Sequence, residues 1–128
     1  MEEIKIRIPR VEIPAHLEGD GGFSGGGNYW SDSTLRTGAE LLEEFDVPLS
    51  SLNLCVSPWS MSNFRWILYH IRRIENADLR YPILLDPDGS VADGWHRIAK
   101  AILNGDLTIK AKRFSVMPEA DTVSTSTK

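Results

Sequence analysis

Five consecutive residues carry functional groups that suit phosphate chemistry. Asp93, Gly94, Trp95, His96 and Arg97 stand where a short extended stretch gives way to an apolar, helix-like one. A guanidinium binds phosphate oxygens through paired hydrogen bonds, and an imidazole transfers protons near neutral pH. A glycine lets a ligand approach the backbone closely. The stretch therefore indicates a site that binds an anion and could act on it.

The residues that follow predict a helix over 94–104, with Asp93 as its N-cap. Three basic side chains would share the helix face turned away from the sheet: His96, Arg97 and Lys100. Because the N-terminus of a helix already carries partial positive charge, basic groups there are unfavourable unless an anion binds. The free N–H groups of the first turn and the Arg97 guanidinium would hold a phosphate.

Two other interpretations of this stretch remain open. In the first, Asp93 only caps the helix, Arg97 pairs with Asp93 or with Asp88 on the surface, and Trp95 belongs to the core. In the second, a divalent cation is bound by Asp86, Asp88, Asp93 and His96. A metal site built by the protein alone is not expected beside three basic groups. Magnesium that arrives with a nucleotide is favoured over such a site, because it needs only one or two carboxylates.

The elements around this stretch are predicted from period and turn residues. The apolar run 81–85 predicts a short buried strand, and the Asp-Pro-Asp-Gly sequence at 86–89 predicts a hairpin turn into a returning strand. Alternating side chains over 108–114 predict a last strand. The helix before it should end at Gly105, a residue type that suits the position after a helix.

The clearest helix spans 62–76 and begins with a serine. Its apolar residues recur at helical spacing and should form the buried face: Phe64, Ile67, Leu68, Ile71 and Ile74. His70 is expected to be a surface or boundary histidine on this helix. The residues 47–56 are expected to be extended.

The N-terminal third of the chain gives weaker signals. Alternation over 4–13 predicts an edge strand, and the glycine-rich residues 18–33 predict a long, mobile loop. A helix is expected over 33–45, with Ser31 or Ser33 as its cap. No second catalytic acid can be identified, and glutamates bordering the loop are the only suggestions.

Composition and charge limit the classes of protein to consider. The chain has 128 residues, of which 41% are hydrophobic and 25% are charged, as in a soluble single-domain protein. A net charge of −4 argues against a protein that mainly coats nucleic acid. One cysteine, Cys55, permits no internal disulfide, which fits the cytoplasm. No apolar run approaches the roughly 20 residues of a membrane span, so no membrane partner is expected.

The order of elements from 47 to 114 resembles that of the ParB/sulfiredoxin-like superfamily. The resemblance covers about half the chain, and its strongest part is the Asp-Gly-x-His-Arg stretch followed by an apolar helix. It implies a single α+β domain with a small mixed sheet flanked by helices. Residues 1–46 would add a strand, the glycine-rich loop and a helix to this domain. Residues 115–128 have no core-forming pattern and are predicted to be a disordered tail.

The resemblance also implies a ligand, because that superfamily places a nucleotide phosphate at the start of this helix. Gly94, His96 and Arg97 map onto the phosphate-binding turn. Trp95 stands where sulfiredoxins carry a cysteine, so sulfiredoxin chemistry is not expected. ParB proteins carry Gly-Glu-Arg-Arg at this turn, which residues 94–97 share only at the ends, and no DNA-binding helix-turn-helix domain follows.

The expected function is therefore phosphoryl transfer, or hydrolysis of a nucleotide or phosphodiester, with ATP or another nucleotide and Mg²⁺ as ligands. Asp93 and His96 are the expected catalytic residues. The expected binding residues are Gly94, Trp95, His96, Arg97 and Lys100. The alternative is a non-catalytic regulatory module of a plasmid or phage that contacts DNA or a host protein.

Overall fold

A computed structural model describes residues 7–16 and 21–124 of the chain. The strands are β1 (Phe23–Gly25), β2 (Asn28–Trp30), β3 (Phe45–Pro48), β4 (Ile83–Leu85), β5 (Val91–Asp93), β6 (Thr108–Arg113) and β7 (Thr122–Val123). The helices are α1 (Asp32–Gly38), α2 (Phe64–Glu75) and α3 (Trp95–Leu103), with a 3-10 turn at Leu49–Ser51. Within the described ranges the fold is α+β, as predicted.

The central sheet has four strands in the order β3-β6-β4-β5. β6 runs antiparallel to β3 and parallel to β4, and β5 returns antiparallel to β4. A separate three-stranded sheet has the order β1-β2-β7. The prediction of a small mixed sheet flanked by helices is therefore confirmed, with a second small sheet added.

The core lies on both faces of the central sheet because successive strand residues point to opposite sides. Ile83 and Leu85 pack on one face with residues of α3, and Leu84 packs on the other with residues of α1 and β2. All three β4 residues are buried. This double burial explains why 81–85 reads as a continuous apolar run rather than an alternating one.

The hairpin that leads into the candidate site forms as predicted. Asp86 Oδ1 accepts hydrogen bonds from the backbone N–H groups of Asp88 and Ser90, and Gly89 adopts a φ of +86°. The chain then returns as β5. At the other end of α3, Gly105 follows the helix with a φ of +81°, as its position predicts.

The N-terminal predictions need correction. Among the described residues of 4–13, no strand forms over 7–13. Residues 18–20 of the predicted mobile loop lie outside the described ones, but 23–30 form a β1–β2 hairpin, whose two turn residues Gly26 and Gly27 both adopt positive φ values. Glycines supply the conformations that such a tight turn requires, so they mark a turn and not flexibility. Helix α1 starts after the Ser31 cap but ends at Gly38, and Phe45 belongs to β3.

The prediction of a disordered tail is wrong for 115–124, and residues 125–128 lie outside the described ones. β7 pairs with β2, and Trp30 Nε1 donates a 2.7 Å hydrogen bond to the Pro118 carbonyl. The Asp121 carboxylate accepts from the Ser31 backbone N–H at 2.6 Å and from Thr34 Oγ1 at 2.8 Å. The segment is ordered by hydrogen bonds to residues far away in sequence, which hydrophobic periodicity does not reveal.

The Asp121 contacts predict an acid-sensitive anchor for this segment. The Ser31 backbone N–H, followed by the Thr34 hydroxyl, holds the pKa of Asp121 below its ordinary value of 3.8. A carboxyl with a depressed folded pKa stabilises the fold above that ordinary value, and the contribution is lost as the pH falls through the folded pKa. In urea unfolding, Asp121→Asn should have a lower midpoint than the wild type near neutral pH. The difference should shrink in acid, and a constant difference would contradict this assignment.

Helix α2 is turned differently from the prediction. Phe64 is 72% exposed and Ile71 46% exposed, whereas Tyr69 and His70 are each 1% exposed. Asn63, rather than a serine, caps the helix by accepting from the Trp66 backbone N–H. The predicted apolar face is therefore wrong, because an aromatic and histidine face packs inward instead. No helix within the described ranges has the length and apolar character needed to cross a membrane.

Candidate functional site

A cavity of about 470 Å³ lies where α2 faces the start of α3; we call it the histidine cavity. Its titratable and charged lining residues come from four separate parts of the chain: His16, Asp32, Arg36, His70, Arg73, Asp93 and His96. Pro58, Trp59 and Ser60 border it from the segment before α2. Proteins usually bind small molecules in cavities of about this size.

Two histidines meet in the wall of this cavity. His70 Nδ1 and His96 Nε2 lie 2.9 Å apart, which is a hydrogen-bonding distance. The ring planes are within 16° of parallel and the ring centroids are 5.1 Å apart. With the two nitrogens so close and the centroids so far apart, the imidazoles meet edge to edge. We call these two residues the histidine pair.

The Trp59 indole covers both rings of the histidine pair. Its ring centroid lies 4.5 Å from that of His70 and 4.4 Å from that of His96, with interplanar angles of 13° and 15°. Trp66 and Tyr69 flank His70 as well, at centroid distances of 5.7 and 5.0 Å. These aromatic contacts fix the plane of the pair and keep bulk water away from one side of it.

The hydrogen bond between the rings restricts their protonation. It needs one N–H donor and one unprotonated ring nitrogen, so both imidazoles cannot be doubly protonated while it is intact. His70 is buried, whereas His96 is only partly covered and lines the cavity. The pair can therefore hold a proton between a buried ring and one that a ligand can reach. This arrangement suits general acid–base catalysis by His96 with His70 as its orienting partner.

The start of α3 is set by Gly94, which occupies the N-cap position with a φ of +120°. A Cβ atom at this position would lie 2.5 Å from Ile83 Cγ2. Asp93 is therefore not the N-cap that the sequence predicts but the last residue of β5. The first intrahelical bond runs from the Ile98 N–H to the Gly94 carbonyl, so the preceding N–H groups of the first turn are not used within the helix.

Asp93 instead forms ion pairs with two arginines. Its Oδ2 atom lies 3.1 Å from Arg97 Nη2 and 3.5 Å from Arg36 Nε. The Asp93 and Arg97 side chains are only 12% and 15% exposed, whereas that of Arg36 is 60% exposed. The pairing of Arg97 with Asp93, left open by the sequence, is thus present. The Asp93 carboxylate positions both arginines, and nothing in its contacts marks it as a catalytic base.

Three arginines surround a smaller cavity of about 200 Å³, which we call the arginine cavity. Arg36, Arg73 and Arg97 line it together with Gly94 and His96. It shares its lining with the histidine cavity at five residues: Arg36, Arg73, Asp93, Gly94 and His96. Two carboxylates, Asp78 and Asp93, also line it, so the three guanidinium groups leave a net positive charge in a recess beside the start of α3 and next to His96.

Lys100 does not lie in the place predicted for it, whereas Trp95 does reach the cavity wall. Lys100 Nζ donates to the carbonyls of Glu75 and Ala77 at 2.9 and 2.8 Å, so it binds the C-terminal end of α2 and lines neither of these cavities. A cation at a helix C-terminus is favourable, which explains a lysine here without a ligand. Trp95 lines the histidine cavity but also packs against the core cluster under α3.

Replacing Lys100 by methionine is expected to lower the free energy of unfolding by about 2 kcal/mol, because two charge-assisted hydrogen bonds are lost, one of them exposed to solvent. Affinity for a phosphate ligand should not change. Urea unfolding and a ligand titration check these two expectations. Lys110→Met serves as the control, since Lys110 is exposed and lies 4.0 Å from its ion-pair partner, Glu44. If Lys100→Met binds the ligand more weakly and Lys110→Met does not, Lys100 contacts the ligand and its exclusion from the site is wrong.

The structure also brings in residues that the sequence did not indicate. His70, Trp59, Arg36 and Arg73 belong to the site although they lie 20 or more residues before Asp93 in the chain. The sequence signal for them was the spacing of Trp66, His70 and Arg73, which places these three residues on one side of α2. Asp32 is the second carboxylate of the histidine cavity, and its Oδ1 accepts from the Gly22 N–H at 2.9 Å.

Among residues 7–16 and 21–124, no group of three or more His, Cys, Asp or Glu side chains is arranged to bind a metal ion. Gly94, His96 and Arg97 do meet at the start of α3, as the resemblance to the ParB/sulfiredoxin-like superfamily implies, but that membership stays a prediction. The chain matches no protein-family model, no curated protein and no solved structure.

Proposed function

We propose that this protein binds a nucleotide and that His96, oriented by His70, serves as the acid or base in phosphoryl transfer or phosphate-ester hydrolysis. The observation that carries this proposal is the histidine pair: both rings line the histidine cavity, and His96 also lines the arginine cavity with its three arginines. Histidines that only fill a core do not need to line a cavity that a ligand can enter. A hydrogen-bonded pair at a charged cavity is the arrangement that proton transfer requires.

The arginine cavity is the proposed place of the reacting phosphate. Arginine forks match phosphate oxygens and are delocalised cations, so they stabilise negative charge as it shifts during transfer. The N–H groups at the start of α3 add donors that suit the same anion. The resemblance to the ParB/sulfiredoxin-like superfamily implies this same place.

The remainder of the nucleotide would occupy the histidine cavity. Trp59 and Trp66 offer aromatic surface at its edge, and Asp32 offers a carboxylate, whereas the Asp93 carboxylate is engaged by two arginines. One or two carboxylates are enough for Mg²⁺ that enters with a nucleotide. In this arrangement a water or a hydroxyl attacks the phosphorus atom, and His96 takes its proton while the leaving oxygen departs on the opposite side.

A non-catalytic module is the second candidate, because two of the expected ligand residues already have structural partners. Arg97 is paired with Asp93, and Lys100 binds the end of α2. A chain of this kind would bind a nucleotide without turning it over and act on DNA or on a partner protein. It differs from the first candidate in turnover and not in binding.

Turnover and binding can be separated in one set of experiments. Purified protein is incubated with ATP, ADP, CTP or GTP, and with bis(p-nitrophenyl) phosphate as a diester, with and without Mg²⁺, and the products are followed by ³¹P NMR. We expect cleavage of at least one compound and its loss in Arg73→Gln. Arg65→Gln is the matched control on the same helix, since Arg65 is exposed and lines neither cavity. Binding without cleavage would support the non-catalytic module.

A further inference from the structure

A third cavity, of about 610 Å³, adjoins the two that form the proposed nucleotide site. Ala39, Tyr81, Pro82 and Leu84 provide its apolar lining, and Lys112 stands at its edge. It shares Arg36 and Asp93 with the histidine cavity, and it shares these two residues, Tyr81 and Arg97 with the arginine cavity. The rest of its wall, which includes Lys112, lines neither of them. We call it the lysine cavity, and we propose that it is a second ligand site that binds a small organic carboxylate with an apolar body.

The apolar part of the ligand follows from the cavity wall. Leu84 is 3% exposed and Ala39 is 2% exposed, so the floor is made of core side chains that reach the cavity. Tyr81 is 60% exposed at the rim, where its ring can cover a bound molecule. An aromatic or aliphatic body would bury apolar area against these residues, whereas a bare ion such as phosphate would leave it wet.

The charge of the ligand follows from the titratable lining. Three cationic side chains, Arg36, Arg97 and Lys112, stand with two carboxylates, Glu40 and Asp93, which leaves one net positive charge. Asp93 is engaged by both arginines. A monoanion such as a carboxylate balances the remaining charge.

Lys112 is the cation best placed to meet that carboxylate. Its ammonium donates to the Ala39 and Glu40 carbonyls at 3.0 and 3.4 Å, which holds it beside the cavity at the end of α1. An ammonium has three N–H donors, so one remains for a ligand. In the described part of the chain Lys112 forms no ion pair, whereas Lys110 on the same strand faces Glu44.

The test is an NMR titration of ¹⁵N-labelled full-length protein with benzoate, with benzamide as the neutral analogue of the same shape. Benzoate should cause saturable shifts of the amide signals of Ala39, Leu84 and Lys112, and benzamide should cause none. Lys112→Met should weaken benzoate binding about tenfold, since a hydrogen bond to a charged group is lost. Lys110→Met, the same change two residues away, should bind like the wild type.

Any of three results would overturn this proposal: no saturable shift with benzoate, equal binding of benzamide, or unchanged affinity in Lys112→Met. If that variant does not fold, Tyr81→Ala replaces it, because Tyr81 is largely exposed and its loss should also weaken binding. The lysine and arginine cavities share Arg36, Tyr81, Asp93 and Arg97, so the variant that distinguishes the two sites is Lys112→Met. ATP titrated into the Lys112 variant reports on the proposed nucleotide site separately, since Lys112 does not line it.

Discussion

Replacing His96 by alanine is expected to lower the rate of phosphate-ester cleavage by about 10²–10⁴-fold, the usual contribution of a general acid or base. His96 is the member of the histidine pair that lines both cavities of the proposed site, and its Nε2 lies 2.9 Å from His70 Nδ1. Alanine removes the proton carrier and leaves the arginines in place. The change should therefore appear in turnover, measured by ³¹P NMR, with nucleotide affinity largely retained.

The matched control is Leu103→Ala on the same helix, because Leu103 is 78% exposed and far along α3 from the cavities. It should keep the wild-type rate. A His96→Ala variant that is folded and cleaves as fast as the wild type would contradict the assignment of His96 as acid or base. Equal losses in both variants would point to damage to α3 rather than to chemistry.

Gly94→Ala is expected to lower the free energy of unfolding by about 2–5 kcal/mol, the sum of backbone strain and overpacking. Gly94 has a φ of +120°, which L-residues rarely adopt. The added Cβ would also lie 2.5 Å from Ile83 Cγ2, and Ile83 is fully buried under α3. Urea unfolding followed by circular dichroism measures the loss.

Gly89→Ala separates the two causes, because Gly89 has a φ of +86° but its Cβ would have no neighbour within 4 Å. That variant should lose only the strain, about 1–2 kcal/mol. The difference between the two variants is the energy of the close contact between β4 and the start of α3. If both variants lose the same free energy of unfolding, the contact between β4 and the start of α3 accommodates the added methyl group without an energetic cost.

Local signals were enough to predict the segment that carries the start of the site. The turn at 86–89, the helix end at Gly105 and the strand over 108–113 all follow from side chains that act on their own neighbourhood. The same local logic placed Gly94, His96 and Arg97 together. It misplaced Asp93 because Asp93 and Gly94 are adjacent and both residue types can cap a helix. The sequence does not show which of the two is the N-cap.

The rest of the site depends on contacts between residues distant in sequence, which periodicity does not contain. His70 lies 26 residues before His96, and whether they meet depends on how α2 is rotated against α3. The apolar spacing predicted a rotation of α2 that buries Phe64 and Ile71. In the observed rotation His70 is buried instead and stacks with Trp59 and Trp66. The Asp121 anchor of the C-terminal segment was missed for the same reason, since Ser31 is 90 residues away.

Nucleotide binding is the claim on which the function depends, and a thermal-shift measurement tests it most directly. The wild type and Arg73→Gln are melted with ATP, ADP, CTP and GTP, with and without Mg²⁺. At about 100 times its Kd a ligand adds about 2.7 kcal/mol, a rise of about 10 °C in Tm for a domain of this size. We predict such a rise for at least one nucleotide in the wild type and a smaller one in Arg73→Gln. No rise with any of the four nucleotides would contradict the proposed site.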